Sequence, residues 1–121
     1  MNIIITGSSG FIGKNLVNSL LKTKFNLLTL SKKHKKNNFK KHLFVDLNSF
    51  EKIKKKIINF KPDILIHLAW QDIPDYSFEV QLLNLKISIN FLNFIINQTN
   101  CKKIIVSGSC WEYGINKGPC V

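Results

Sequence analysis

Arginine is absent. All 18 basic side chains are lysines, set against seven acids, so the formal net charge of +11 rests on ammonium groups alone. That charge raises nucleic acid or anionic substrates as partners. Abundant Lys, Asn and Ile give it a compositional origin as well. A nucleic-acid reader draws on arginine forks for phosphates and base edges, and neither a recognition helix nor an aromatic-studded sheet stands out. A basic nucleic-acid-binding domain is therefore disfavoured. Acids are missing too from the first 45 residues, where Asp46 is the first. The three cysteines, Cys101, Cys110 and Cys120, are odd in number and not at metal-ligand spacing. They point to a reduced, cytoplasmic chain with no metal site. Six Gly and three Pro are too few for a low-complexity or collagen-like polymer. No long apolar run is uninterrupted: Val80–Ile96 is broken by Gln81, Asn84, Lys86, Asn90 and Asn93, so no membrane span is expected. Ile3–Ile5 has no basic flank before it and ends at once in a glycine turn, unlike a signal peptide. What remains is 121 residues of balanced hydropathy, which suit a single domain over residues 1–121 with its own core.

Strand-like and helix-like patterns alternate along the chain. Asn2–Thr6 is a short β-branched run of the kind buried in parallel sheets. Ile12, Leu16, Val17, Leu20 and Leu21 then recur at helical spacing. Strands are expected at Phe25–Leu30, Leu43–Val45, Asp63–Leu68 and Lys103–Val106, with Ser31–Lys41 as a lysine-rich loop. Asn48 and Glu51 have capping-box spacing ahead of a helix that places Phe50, Ile53, Ile57 and Phe60 on one face and ends at Pro62. A longer helix is expected from Phe78 to Gln98. This order predicts an α/β fold, a Rossmann-like doubly wound parallel sheet with strand order 3-2-1-4-5 and helices on both faces. Ligands of such sheets bind at the carboxyl ends of the strands, near the switch between strands 1 and 4.

That switch is where the glycines lie. Thr6-Gly7-Ser8-Ser9-Gly10-Phe11-Ile12-Gly13 follows a strand and opens a helix. Gly7 suits a tight turn, Gly10 leaves room for a pyrophosphate to approach backbone N–H groups, and Gly13 suits close helix packing. The helix start adds unpaired donors and partial positive charge. No Lys-Ser/Thr follows Gly13, so the loop is not a P-loop.

The Gly-x-x-Gly-x-x-Gly spacing resembles that of the extended short-chain dehydrogenases/reductases, the NAD-dependent epimerases/dehydratases. Further landmarks come in family order. Asp46-Leu47 is similar to the family's adenine-contacting segment. His67-Leu68-Ala69 is similar to its His-x-Ala segment beside the cofactor, Asn84 to an Asn near the nicotinamide half, and Ser107-Gly-Ser109-Cys-Trp-Glu-Tyr113-Gly114 to its serine-rich strand end followed by Tyr-Gly. The resemblance implies cofactor-binding roles for Gly7, Ser9, Gly10, Phe11, Ile12, Gly13, Ser31, Lys32, Lys33, Asp46, Leu47, Leu68, Ala69, Trp70, Asn84 and Ser107. It makes Ser109, four residues before Tyr113, the catalytic serine that binds the substrate oxygen. It further implies a nucleotide-sugar substrate and a homodimer formed through the Phe78–Gln98 helix, whose apolar residues surround most of its circumference. Trp70 stands where the family often has a second Ala, and Gly108 where a Ser is frequent. With His67-Leu-Ala-Trp70, these resemble the branch that reduces nucleotide-linked 4-keto-6-deoxy sugars.

Two features qualify the expected chemistry. An NAD reader usually carries an acid at the end of strand 2 for the ribose 2′-OH. Here that position is near Ser31 and is followed by Lys32-Lys33-His34-Lys35-Lys36. A cationic pocket suits a 2′-phosphate, so NADP(H) is expected over NAD(H). The family's proton donor is the Tyr of a Tyr-x-x-x-Lys pair on a later helix. The one formal match, Tyr113–Lys117, begins just past strand 5 and is flanked by Gly114 and Gly118-Pro119, which oppose a helix. By this resemblance the 121 residues stop before the catalytic helix, the last strands and the substrate lobe. They would bind cofactor and be inactive alone, as a truncated product or a fragment. A dinucleotide-binding module or sensor without catalysis is the alternative.

Overall fold

A computed structural model describes residues 1–32 and 41–108. Five parallel strands form one sheet: β1 (Asn2–Thr6), β2 (Asn26–Ser31), β3 (His42–Phe44), β4 (Ile64–His67) and β5 (Lys103–Val106), in the order β3-β2-β1-β4-β5. Helix α1 (Phe11–Leu20) joins β1 to β2, α2 (Lys54–Phe60) precedes β4, and α3 (Phe78–Gln98) joins β4 to β5. The expected strand order and the span of α3 are both present.

Alternation along β1 decides which helix packs where, since successive side chains leave opposite faces of a strand. Ile3 and Ile5 pack with Leu27 and with Val17 of α1. Ile4 points the other way, into a larger cluster with Leu28, Leu30, Leu65, Ile57 of α2, and Phe91, Phe94 and Ile95 of α3. The register sets Ile4 beside Leu28 on one side and Leu65 on the other, so a continuous apolar row crosses the sheet. Phe91 is fully buried, edge-on to Phe50 at 5.2 Å between ring centroids.

Several local expectations are corrected. The capping box at Asn48 and Glu51 is not formed. Asp46 is the cap, its carboxylate accepting from the Asn48 N–H at 2.9 Å, and it opens 3-10 turns over Leu47–Ile53 before α2 begins at Lys54. Glu51 instead pairs with Lys54 at 2.7 Å. Strand β3 sits one residue earlier than its apolar run, because the His42 ring is drawn into the sheet by Thr29 and Ser31 of β2, at 2.7 and 3.0 Å. Ile12 of α1 and Leu21, its C-cap, are exposed rather than core-facing. On α3, Phe78, Leu82, Leu85, Ile89 and Ile96 remain exposed while Ile87, Phe91, Phe94 and Ile95 are buried. Among the described residues no helix is long and apolar enough to cross a membrane.

Candidate functional site

A cleft of about 600 Å³ opens at the carboxyl ends of β1, β2 and β4. Its floor is the loop from β1 to α1. Gly7 turns with φ +66°, and a Cβ there would lie 2.7 Å from the Leu68 carbonyl carbon and oxygen. Only glycine suits both the dihedral and the space. A Cβ on Gly13 would lie 2.3 Å from the Gly7 carbonyl oxygen, so this glycine lets the first turn of α1 close over the loop. Gly10 is different. A Cβ there would meet only the Gly7 oxygen, at 3.2 Å, and otherwise open space. Protein packing thus demands Gly7 and Gly13 far more than Gly10. Ser8 is buried and ties the loop to β2, its N–H and hydroxyl both donating to the Leu30 carbonyl.

The start of α1 is electrostatically bare. Gly10 is the N-cap, no side chain caps it, and the first turn holds no acid. The Lys14 N–H makes the first helical bond, to the Gly10 carbonyl. The amides of Phe11, Ile12 and Gly13 therefore lack intrahelical partners, as in any first turn. Together with the helix dipole they suit an anionic group. The residues present thus fit a dinucleotide: a glycine with open space above it apart from the Gly7 oxygen, beside uncapped donors, on a cleft wide enough to hold one.

Of the residues expected at the site, Gly7, Ser9, Gly10, Phe11, Ser31, Lys32, Asp46, Leu47, Leu68, Ala69, Trp70 and Asn84 line this cleft. Ile12 and Gly13 do not line it. Nor does Ser107, which sits past β5 and donates its N–H to the His67 carbonyl at 3.1 Å. Lys33 and Ser109 lie outside the described residues, as do Tyr113 and Lys117. Among the described residues no group of three or more His, Cys, Asp or Glu could hold a metal ion.

Charge is gathered at the β2–β3 end. Lys32 Nζ is 3.0 Å from Asp46 Oδ2 and donates to Gln71 Oε1 at 3.0 Å. The Asn48 amide, aided by the Lys32 ammonium, holds the Asp46 carboxyl below the usual range. Asp46, just past β3, thus sets a carboxylate beside the lysine that follows β2. Gln71, which the sequence did not single out, is gripped from α3: Asn84 accepts from the Gln71 N–H at 2.8 Å and donates to its carbonyl at 3.1 Å. Asn84 also donates to the Val80 carbonyl at 3.0 Å. Both amide protons of Asn84 are engaged, so its observed work is to position the loop after β4.

The end of β4 carries a chain of uncharged polar groups, and Asp72 in the loop beyond also borders the cleft. His67 is buried, with Nδ1 2.8 Å from Thr6 Oγ1, Nε2 3.1 Å from Ser88 Oγ, and its ring stacked on Phe91. Burial pushes its pKa down to about 4. Thr6 and Ser88 also line the cleft and were likewise not singled out. Ser88 lies one helical turn beyond Asn84, which is the only sequence signal it carries.

The NAD dependent epimerase/dehydratase family matches residues 3–119. A dTDP-6-deoxy-L-talose 4-dehydrogenase (NAD(+)) of Aggregatibacter actinomycetemcomitans is 28% identical, the match covering 98% of this chain and 45% of that protein. Among solved structures, the UDP-Glc/GlcNAc 4-epimerase of Campylobacter jejuni superposes with a TM-score of 0.84 at 25% identity, over 99% of this chain and 40% of its own. A UDP-glucose 4-epimerase of Thermus thermophilus in complex with NAD gives 0.65 at 26% identity, over 78% of this chain and 33% of its own. The chain thus spans less than half the length of these relatives.

The buried histidine generates a pH prediction. Unfolded, the imidazole takes up a proton near pH 6.5; folded, it does so only near pH 4. Its neutral burial therefore costs nothing above about pH 6.5, and stability falls as pH drops from there to 4, by about 3 kcal/mol in all. Urea unfolding of the wild type should track this decline between pH 7 and 4.5. The non-ionisable variant His67→Gln should lack it, and an equal decline in that variant would contradict the assignment.

Proposed function

Because the chain belongs to the NAD-dependent epimerase/dehydratase family, we propose that its 121 residues form one cofactor-binding unit of a nucleotide-sugar epimerase, dehydratase or 4-ketoreductase. The observation that carries the reading is Gly10. The protein leaves space above it that packing does not use, beside the uncapped start of α1. A dinucleotide diphosphate is the group that needs both. Leu68, Ala69 and Trp70 then wall the half of the cleft over β4, and Asp46 and Leu47 the half over β3. The same reading gives Ser109, four residues before Tyr113 in the sequence, the role of binding the sugar oxygen. The cofactor, when bound, supplies hydride exchange with a sugar carbonyl carbon. The relative named for a 4-dehydrogenase of a dTDP-6-deoxy sugar supports the 4-ketoreductase branch.

General acid catalysis needs a donor in reach of the reacting oxygen. The reading gives the one formal Tyr-x-x-x-Lys match, Tyr113–Lys117, no proton-donor role, and so assigns the 121 residues binding and orientation, without turnover on their own. The exposed apolar residues of α3 suit a second copy packed along the Phe78–Gln98 helix. A cytoplasmic setting belongs to the same reading and rests on the cysteine pattern.

The reading further takes NADP(H) in preference to NAD(H). Lys32 directly follows Ser31, the end of β2, near which an NAD reader places an acid. Asp46 already holds that ammonium, so a 2′-phosphate has to compete for it, and the preference is modest, within about tenfold, or ~1.4 kcal/mol.

Calorimetric titration should give tighter binding of NADPH than of NADH, and Lys32→Glu should reverse the order. An NADH preference that Lys32→Glu leaves untouched would refute the cofactor choice. For the cleft itself, Gly10→Ala should cost about 1 kcal/mol of stability or less, as a mild N-cap change, yet weaken dinucleotide binding at least tenfold, or ~1.4 kcal/mol. Gly13→Ala should cost about 3 kcal/mol through backbone overlap. Equal losses of stability in the two variants, or unaltered affinity in Gly10→Ala, would remove the argument.

A further inference from the structure

The polar chain on the floor of the cleft has a direction, which donor counting settles. The N–H groups of Leu68 and Ala69 both donate to Thr6 Oγ1, each at 3.2 Å. A hydroxyl oxygen has two lone pairs and one proton. With both lone pairs engaged, the Thr6 O–H donates to its remaining partner, His67 Nδ1, at 2.8 Å. In an uncharged imidazole an accepting Nδ1 leaves the proton on Nε2. That N–H points at Ser88 Oγ, 3.1 Å away. Ser88 Oγ is therefore an acceptor in this contact and keeps its own proton to give. Among the described residues no protein acceptor takes it, and Ser88 borders the cleft beside Thr6, Ala69 and Asn84.

The position narrows what could receive that proton. Of the charged groups bordering the cleft, Lys32 and Asp46 lie at the β2–β3 end and Asp72 in the loop after β4, while the bare amides of α1 lie at β1 in the middle. Ser88 flanks the β4 end, where no charged side chain contacts the polar chain. A single neutral donor there suits a neutral oxygen rather than a phosphate.

We infer that Ser88 is a ligand-binding residue whose hydroxyl donates to a neutral oxygen of the nucleoside half lying over β4, with Thr6 and His67 as positioning residues that orient it. The ligand oxygen is a ribose hydroxyl or a ring carboxamide. The inference rests on the dinucleotide reading of the cleft and adds to it a contact and a direction of hydrogen bonding.

The test joins a structural and a binding readout on the 121-residue chain. Nitrogen-15 NMR of labelled histidine should show His67 protonated on Nε2 and bare on Nδ1 at about pH 7, and the opposite tautomer would overturn the inference. Ser88→Ala should weaken NADPH roughly three- to tenfold, the worth of one hydrogen bond. It should leave 2′,5′-ADP, which lacks the second nucleoside, unchanged, and Ser88→Thr should restore NADPH binding. Equal weakening of NADPH and 2′,5′-ADP, or none of NADPH, overturns the assignment of Ser88 while leaving the dinucleotide site intact. A wild type that binds neither these compounds nor NADH overturns both, and one that binds NADH alone is tested with NADH against 5′-AMP in the same way. Thermal unfolding of each variant identifies a loss of fold separately from a loss of contact.

Discussion

Gly7 leaves β1 in a left-handed turn so close to the backbone after β4 that a single added carbon would overlap the Leu68 carbonyl. This contact joins the two strands between which the chain reverses its direction of winding. With it in place, the Thr6 hydroxyl reaches the Leu68 and Ala69 amides, Ser8 is locked onto Leu30, and the Gly7 carbonyl becomes the surface on which Gly13 closes. The start of α1 is thereby aimed across the sheet edge with no capping side chain. The cleft is a consequence of that geometry, as its floor is the turn and its walls are the segments that the turn holds apart.

The electrostatic layout follows from which strand end each wall comes from. The β2 and β3 ends bring Lys32 and Asp46 together, and Gln71 reaches across from the β4 side to share the ammonium. On the far side, burial keeps His67 neutral within a chain of uncharged donors and acceptors. One cleft therefore has an ion pair at the β2–β3 end, a middle of bare amides, and an uncharged polar chain at β4 with the Asp72 carboxylate in the loop beyond. That layout suits a dinucleotide, with its anionic centre and neutral ribose groups, better than a simple anion.

Much of this was legible in the amino-acid order, and the parts that were not share a cause. The glycine spacing, the strand alternation and the ends of α3 are local patterns, and the strand order follows from them by the handedness of parallel crossovers. The Lys32–Gln71 contact joins residues 39 apart, and nothing in the local pattern of either announces it. The same holds for His67 and Ser88. A serine inside a helix is ordinary, and only the imidazole opposite gives it a direction. The capping box at Asn48 failed for a more instructive reason. Asp46, two residues earlier, reached the Asn48 amide first, so the carboxylate expected to meet a ligand also starts the turn. Asn84 adds a further case: its place at the cleft was legible, but its grip on Gln71 and Val80 was not.

The account stands or falls on whether a diphosphate rests against the uncapped amides of α1. Amide chemical-shift mapping of the nitrogen-15-labelled protein with added NADP+ reads this residue by residue. The account predicts the largest changes at Gly10, Phe11, Ile12 and Gly13. Changes confined to the lysine-rich surface of α2, with those four amides unmoved, would contradict it.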